Sequence, residues 1–171
     1  MKEMEKGFTP IAGGVTAAKG FMAASTAAGI KYSGRQDMAM IYSRIPCRAA
    51  GTFTTNIVKA APVKWDQARI EEGAAAQAVV INAGIANACT GQEGMDYCSQ
   101  TAEAAAQALG IPKESVLVAS TGVIGMQLPM DRIAAGVAAM APKLEEGLAG
   151  GEAASKAIMT TDTKNKEAAV Q

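Results

Sequence analysis

At 171 residues the chain is long enough for one domain with a real core, a size that buries roughly 70% of the unfolded surface. Lys plus Arg and Asp plus Glu both number 16, so there is no basic excess to attract phosphate backbones or anionic lipid, and neither nucleic acid nor a membrane is an expected partner. Histidine is absent, which excludes a Ser-His-Asp or Cys-His pair drawn wholly from this chain and leaves any general base to an amine, a carboxylate or another chain.

The N-terminus, MKEMEKGF, carries acidic residues and no apolar run, so no secretory signal is expected and a cytoplasmic location follows. Ile11 to Gly20 holds three glycines and reads as a loop or edge segment; Lys19 beside Gly20 either meets an anion or is simply solvated. A first strand is expected from Asp37 (DMAMIYS) and a second over Ala50–Thr55 (AGTFTT), with Thr54, Thr55 and Asn56 facing a cleft or making a turn. Charges at helical spacing from Trp65 to Gly73 predict a short surface helix.

Gln77 to Asn82 reads as a strand running into a turn over Ala83–Ala88, where small residues would let backbone approach a ligand closely. Met95 to Leu109 is rich in helix formers and stops at Gly110 with Pro112 beyond, the pattern of a helix. Val116–Val118 suits a buried strand that stops at Ser120-Thr121-Gly122. Such an end either offers a hydroxyl and amide N–H groups to a developing oxyanion or is a plain turn using Ser, Thr and Gly.

Asp131 reads as the N-cap of a helix reaching about Ala141, where Pro142 breaks it. A loop is expected over Leu148–Gly151 and a short helix over Glu152–Ala157. The polar run Thr160-Thr161-Asp162-Thr163 then either caps a turn or holds an amino-acid substrate. Cys47, Cys89 and Cys98 lack CxxC spacing and read as small buried thiols, with no metal site expected. Strands alternating with helices give an α/β class with about four of each, and residues 1–171 are expected to form a single domain.

Five segments occur in an order that identifies a resemblance: GGVTAAKGF at Gly13–Phe21, FTTN with AAPV between Phe53 and Val63, NAGIANACTG at Asn82–Gly91, STGVIG at Ser120–Gly125, and AIMTTDT at Ala157–Thr163. Over about Gly7 to Glu167 the chain resembles the α chain of the bifunctional ornithine acetyltransferase, or glutamate N-acetyltransferase, family of arginine biosynthesis. The resemblance implies a precursor that cuts itself before a threonine, giving α and β chains that stay together in an α2β2 assembly. It implies an α/β layered sandwich with mixed sheets, completed by the partner β chain.

The implied reaction moves the acetyl group of N-acetylornithine to the β-chain N-terminal threonine, whose own amine serves as base, and then to glutamate. No cofactor is implied, although acetyl-CoA is a possible acetyl donor. Carried over by position, the oxyanion pair falls on Thr121 and Gly122, and a substrate contact falls on Thr160 or Thr161, with Thr160 preferred. In the family the α chain continues through a glycine-rich segment bearing a substrate-binding lysine and the cleavage site. The residues up to Gln171 supply neither that lysine nor the nucleophile. Ala83-Gly84-Ile85 stands where family members commonly have Ser-Gly-Asn. Two other readings stay open: a related self-cleaving aminopeptidase that passes the acyl group to water, and a ligand-binding or assembly subunit without catalysis of its own.

Overall fold

A computed structural model describes residues 7–171; the N-terminal segment read above as leaderless falls, through Lys6, outside the described residues. Four strands form the main sheet: β2 (Phe21–Thr26), β3 (Met38–Cys47), β4 (Ala76–Ile85) and β5 (Val116–Val123), in that order across it. β2 with β3 and β3 with β4 run antiparallel, whereas β4 with β5 runs parallel, so the sheet is mixed. A small ribbon pairs β1 (Pro10–Ile11) with β6 (Ala169–Val170). Among the described residues four α-helices accompany the strands: α1 (Ala61–Glu71), α2 (Gly91–Leu109), α3 (Met130–Met140) and α4 (Leu148–Ala157).

Period-two alternation assigns the two faces of the sheet. Met38, Met40, Ala78, Val80, Val116 and Val118 point into one core with α1, α2 and α3, while Ala39 and Ile41 pack with Ala154 and Ala157 of α4 on the other face. Each large side chain fully buried in this way contributes about 1.5–3 kcal/mol. On α2 the buried residues Cys98, Thr101, Ala102, Ala105 and Ala106 recur at helical spacing and make one apolar stripe. The helix ends where Gly110 takes a left-handed conformation and its N–H bonds to Ala106 O. α2 also supplies the long crossover that a parallel β4–β5 pair requires. α4 lies mainly across β2 and β3, and Val79, Leu117 and Ala119 on that face of β4 and β5 are half-buried.

Several expectations need correction. No strand forms over Ala50–Thr55: Thr54 Oγ1 accepts the Asn56 N–H at 3.2 Å and Asn56 Oδ1 accepts the Val58 N–H at 3.0 Å, so side chains capture the backbone in turns. The sequence reading did not foresee β2, fixed by six paired positions on β3, nor the short β1 and β6. β4 runs on through Ala83–Ile85, and β5 continues through Ser120-Thr121-Gly122 to Val123 rather than stopping there. Leu148–Gly151 is the first turn of α4, its glycine at 150 required because a Cβ would meet the carbonyls of Ala23 and Glu145 at 2.8 Å. Asp131 is the second residue of α3, after Pro129 at the cap position, and favours the helix N-terminus by its charge. The helix expected over Trp65–Gly73 forms as α1 but begins at Ala61 and ends at Glu71, and its Trp65 is buried rather than at the surface. Of the thiols only Cys98 is buried, burial pushing it up to about 12, whereas Cys47 is half-buried and Cys89 is exposed.

β5 is an edge strand, and α1 closes the first half of its free edge. Trp65 Nε1 donates to Val116 O at 3.0 Å, and Asp66 Oδ1 accepts the Val118 N–H at 3.0 Å. Burial pushes the Asp66 carboxyl up to about 6, against the opposing pull of that hydrogen bond. Because this value lies above the unfolded one near 3.8, the carboxyl's contribution to stability is complete below that pH and is lost as pH rises through about 6. Asp66→Asn is therefore expected to melt higher than the natural protein at pH 7.5, by about 1 kcal/mol once partial solvent screening is allowed for, and to match it at pH 4. Thermal unfolding at the two pH values checks this; an advantage that persists at pH 4 contradicts it.

Candidate functional site

The candidate site begins where β4 and β5 outrun their neighbours. Met38, the first residue of β3, pairs with Asn82, but β4 and β5 go on together through Ala83–Thr121, Gly84–Gly122 and Ile85–Val123. Both glycines have positive φ, 118° at Gly84 and 137° at Gly122. A Cβ on Gly122 would collide with the Gly84 carbonyl and stand 2.6 Å from Ile85 N, so this pairing requires glycine. The two glycine segments singled out by sequence are thus one structure, a doubled strand end with little side-chain bulk.

Strand alternation sets what this end presents. Even-numbered residues of β5 turn their N–H and C=O groups away from β4, as the bonds from α1 to Val116 and Val118 establish. On the same parity the Ser120 and Gly122 N–H groups reach the free edge beyond the cover of α1. Thr121 projects on the opposite face from the main helical layer and is exposed, and its hydroxyl has no intrachain partner among the described residues. Thr121 and Gly122 therefore offer one hydroxyl and one N–H at adjacent positions, the donor types that stabilise charge developing on an acyl oxygen.

The loop after β4 is locked to this end. Ala86 N donates to Val123 O and Gly125 N to Ala88 O, both at 2.9 Å. Asn87 and Cys89 take left-handed conformations, with φ of 47° and 57°, that non-glycine residues seldom adopt. The fully buried Asn87 side chain secures the fold of the loop, its amide donating to Gly94 O at 2.9 Å and its carbonyl accepting from Thr90 Oγ1 at 2.8 Å. Asn82, also buried, donates to Ile85 O at 2.9 Å and ties the strand end to itself.

Thr160 and Thr161 lie just past α4 in an irregular segment, Thr160 half-buried and Thr161 exposed. Asp162 takes the turn-forming role: its carboxylate pairs with Lys166, whose hydrogen bond and charge hold it below the ordinary carboxylate range. Upstream of the threonines, a cleft of about 170 Å³ is bounded by Ile41, Ile81, Ala154, Ile158 and Lys166 on the sheet face that also carries Thr121. Among the described residues no cluster of three His, Cys, Asp or Glu side chains is placed to hold a metal.

What sequence reasoning missed is the segment between β2 and β3, Ala27–Asp37, which touches both parts of the site. A Cβ on Gly84 would stand 2.9 Å from the Cβ of Lys31, and Arg35 donates a hydrogen bond to the carbonyl of Met159, one residue before Thr160. The buried Asp37 shapes this segment, its carboxylate oxygens accepting the N–H groups of Ala28 at 2.7 Å and Ile30 at 2.6 Å. The available signal was a lone acid heading an apolar strand, with glycines and two cations before it.

Comparison with known proteins gives concordant results. The ArgJ family model matches residues 22–171. The chain is 54% identical over 163 residues to the arginine biosynthesis bifunctional protein ArgJ of Symbiobacterium thermophilum, a match covering 94% of this chain and 40% of that protein. It is 48% identical to the protein of the same name from Gloeobacter violaceus, covering 96% of this chain and again 40% of the relative. The chain thus spans well under half the length of these curated relatives. Among solved structures, the ornithine acetyltransferase of Mycobacterium tuberculosis complexed with ornithine superposes with a TM-score of 0.91 at 46% identity, covering 96% of this chain and 88% of that one. The Bacillus halodurans ArgJ structure gives 0.86 at 40%, covering 92% and 82%.

The close contact at the paired glycines yields a direct test. Gly122→Ala is expected to push β5 off β4 and lower stability by about 1–3 kcal/mol, the usual range for overpacking, and thermal unfolding reads this as a drop of several degrees. A melting temperature within a degree of the natural protein would contradict the geometry.

Proposed function

The chain belongs to the ArgJ family, and from that premise we propose that it is the α part of a bifunctional N-acetyltransferase that moves an acetyl group from N-acetylornithine to glutamate. In this reading it folds as one domain of a self-cleaved precursor and works with the β chain in an α2β2 assembly in the cytoplasm. The carrying observation is the doubled strand end, where the Gly84–Gly122 pairing leaves the Thr121 hydroxyl exposed and aims the Gly122 N–H at an open edge. No helix among the described residues is long and apolar enough to cross a membrane.

The chemistry divides between the two chains. The β-chain threonine hydroxyl, its proton taken by its own α-amine, attacks the acetyl carbonyl of N-acetylornithine. The carbonyl oxygen becomes an oxyanion, and the Thr121 hydroxyl and Gly122 N–H donate to it. The C–N bond then breaks, the departing nitrogen takes the proton held by the α-amine, and ornithine leaves an acetyl ester on the threonine. The neutral amine of glutamate attacks that ester through the same charged stage; the ester C–O bond breaks, the threonine α-amine takes a proton from the attacking nitrogen and returns it to the threonine oxygen, and N-acetylglutamate leaves. Acetyl-CoA fits the same sequence as an alternative donor. A base supplied in this way accords with a chain that contains no histidine. In this reading Thr160 or Thr161, the pair directly following the Met159 carbonyl held by Arg35, contacts the amino-acid part of the substrate.

Thr121→Ala is expected to lower kcat about 10²–10³-fold while KM for N-acetylornithine changes little, the pattern of a donor that acts in the transition state. Following ornithine and N-acetylglutamate in the assembled protein tests both points. Equal losses in binding and turnover would assign Thr121 a ground-state contact. Free acetate in place of N-acetylglutamate would make the enzyme a hydrolase.

A further inference from the structure

We propose that Arg35 is a positioning residue for substrate binding: by holding the Met159 carbonyl, it ties the Thr160-Thr161 segment to the β2–β3 loop, whose Lys31 abuts Gly84 at the sheet end. The inference rests on the acetyltransferase reading above and extends it to a residue outside the five recognition segments.

The segment that Arg35 holds has few other anchors. From Ile158 to Ala168 the chain is irregular. Its polar contacts among the described residues are mostly local: Met159 N donates to Lys156 O at the helix end, Asp162 pairs with Lys166, and Asn165 donates to Ser155 Oγ at 3.0 Å. These contacts shape the tail relative to α4. The Arg35 bond is the one that reaches it from the main sheet's loops.

The other end of the strut is rigid. Asp37 gathers the N–H groups of Ala28 and Ile30, Arg132 donates to the Gly29 carbonyl, and Lys31 abuts Gly84. Arg35 itself is half-buried, with its guanidinium carbon 5.4 Å from the centre of the Tyr32 ring. Among the described residues it has no carboxylate partner, so its charge is directed to a carbonyl oxygen. A planar, always-charged donor stacked on an aromatic ring loses little side-chain freedom on making such a bond, and a charged donor strengthens it. The result is a mechanical link between the strand end that would face the acetyl oxygen and the threonines that would hold the rest of the substrate.

The test compares two acetyl donors in the assembled enzyme. N-acetylornithine needs the threonine segment to bind, whereas p-nitrophenyl acetate is a small activated ester that acetylates the nucleophile without an amino-acid moiety. In Arg35→Ala, kcat/KM for N-acetylornithine is expected to fall about 10- to 100-fold, the range for losing a hydrogen bond to a charged group, with the change mainly in KM. The loss with p-nitrophenyl acetate is expected to be at least tenfold smaller. Arg35→Lys, which keeps one charged donor, should recover part of the loss. Amide hydrogen exchange at Met159–Thr161 should accelerate in Arg35→Ala more than at Thr121–Val123. Equal losses with both donors, or unchanged exchange at Met159–Thr161, would overturn the proposal. A natural protein that releases no ornithine from N-acetylornithine would instead overturn the acetyltransferase reading, and the exchange measurement would still decide whether Arg35 holds the segment.

Discussion

Two parallel strands reach their last pairs side by side because Gly122 carries no Cβ, and the β2–β3 loop packs against them because Gly84 carries none. The positive φ at both positions and the collision that any side chain on Gly122 would suffer against Gly84 make this a steric condition on the whole sheet end. From it follow the register that sets Thr121 beside Ala83, the parity that sends the Gly122 N–H to the free edge, and the bonds by which Ala86 and Gly125 close the next loops over the strands. The exposed hydroxyl and the edge N–H are consequences of backbone packing.

Around that end, buried polar side chains fix irregular backbone. Asn87 satisfies groups of the β4–α2 loop, and Asp37 does the same for the loop between β2 and β3. Buried polar groups are stable where their hydrogen bonds are made, and both residues have partners on more than one side. The loops they organise converge on Gly84 and the residues just beyond it, so precision at the site derives from these two side chains as much as from the strands.

The legible parts of the sequence were those in which one local signal agreed with the final packing. α2 has an apolar stripe at helical spacing and a glycine stop, and the structure keeps both. β2 was invisible because FMAAST has no polar–apolar alternation; both its faces are covered, and its strand character comes from pairing with β3. Ala50–Thr55 has good strand residues but no strand beside it, so the side chains of Thr54 and Asn56 won the backbone. Ser120-Thr121-Gly122 looked like a stop because polarity changes there, whereas the ladder continues through contacts with a segment 38 positions earlier. The same holds around the candidate site: the resemblance pointed to Thr121, Gly122 and the Thr160-Thr161 pair, but the loop at Arg35 could not be placed while β2 was unseen.

Hydrogen bonding by α1 has a bearing on how this sheet meets other polypeptides. An open strand edge is a template on which a foreign strand can grow, and proteins guard such edges against unwanted self-association. Trp65 and Asp66 occupy the groups at Val116 and Val118 that an incoming backbone would need, so addition of a fifth strand along the first half of β5 is blocked. Along this edge the short stretch from Ser120 onward stays unguarded, too brief to seed a ladder.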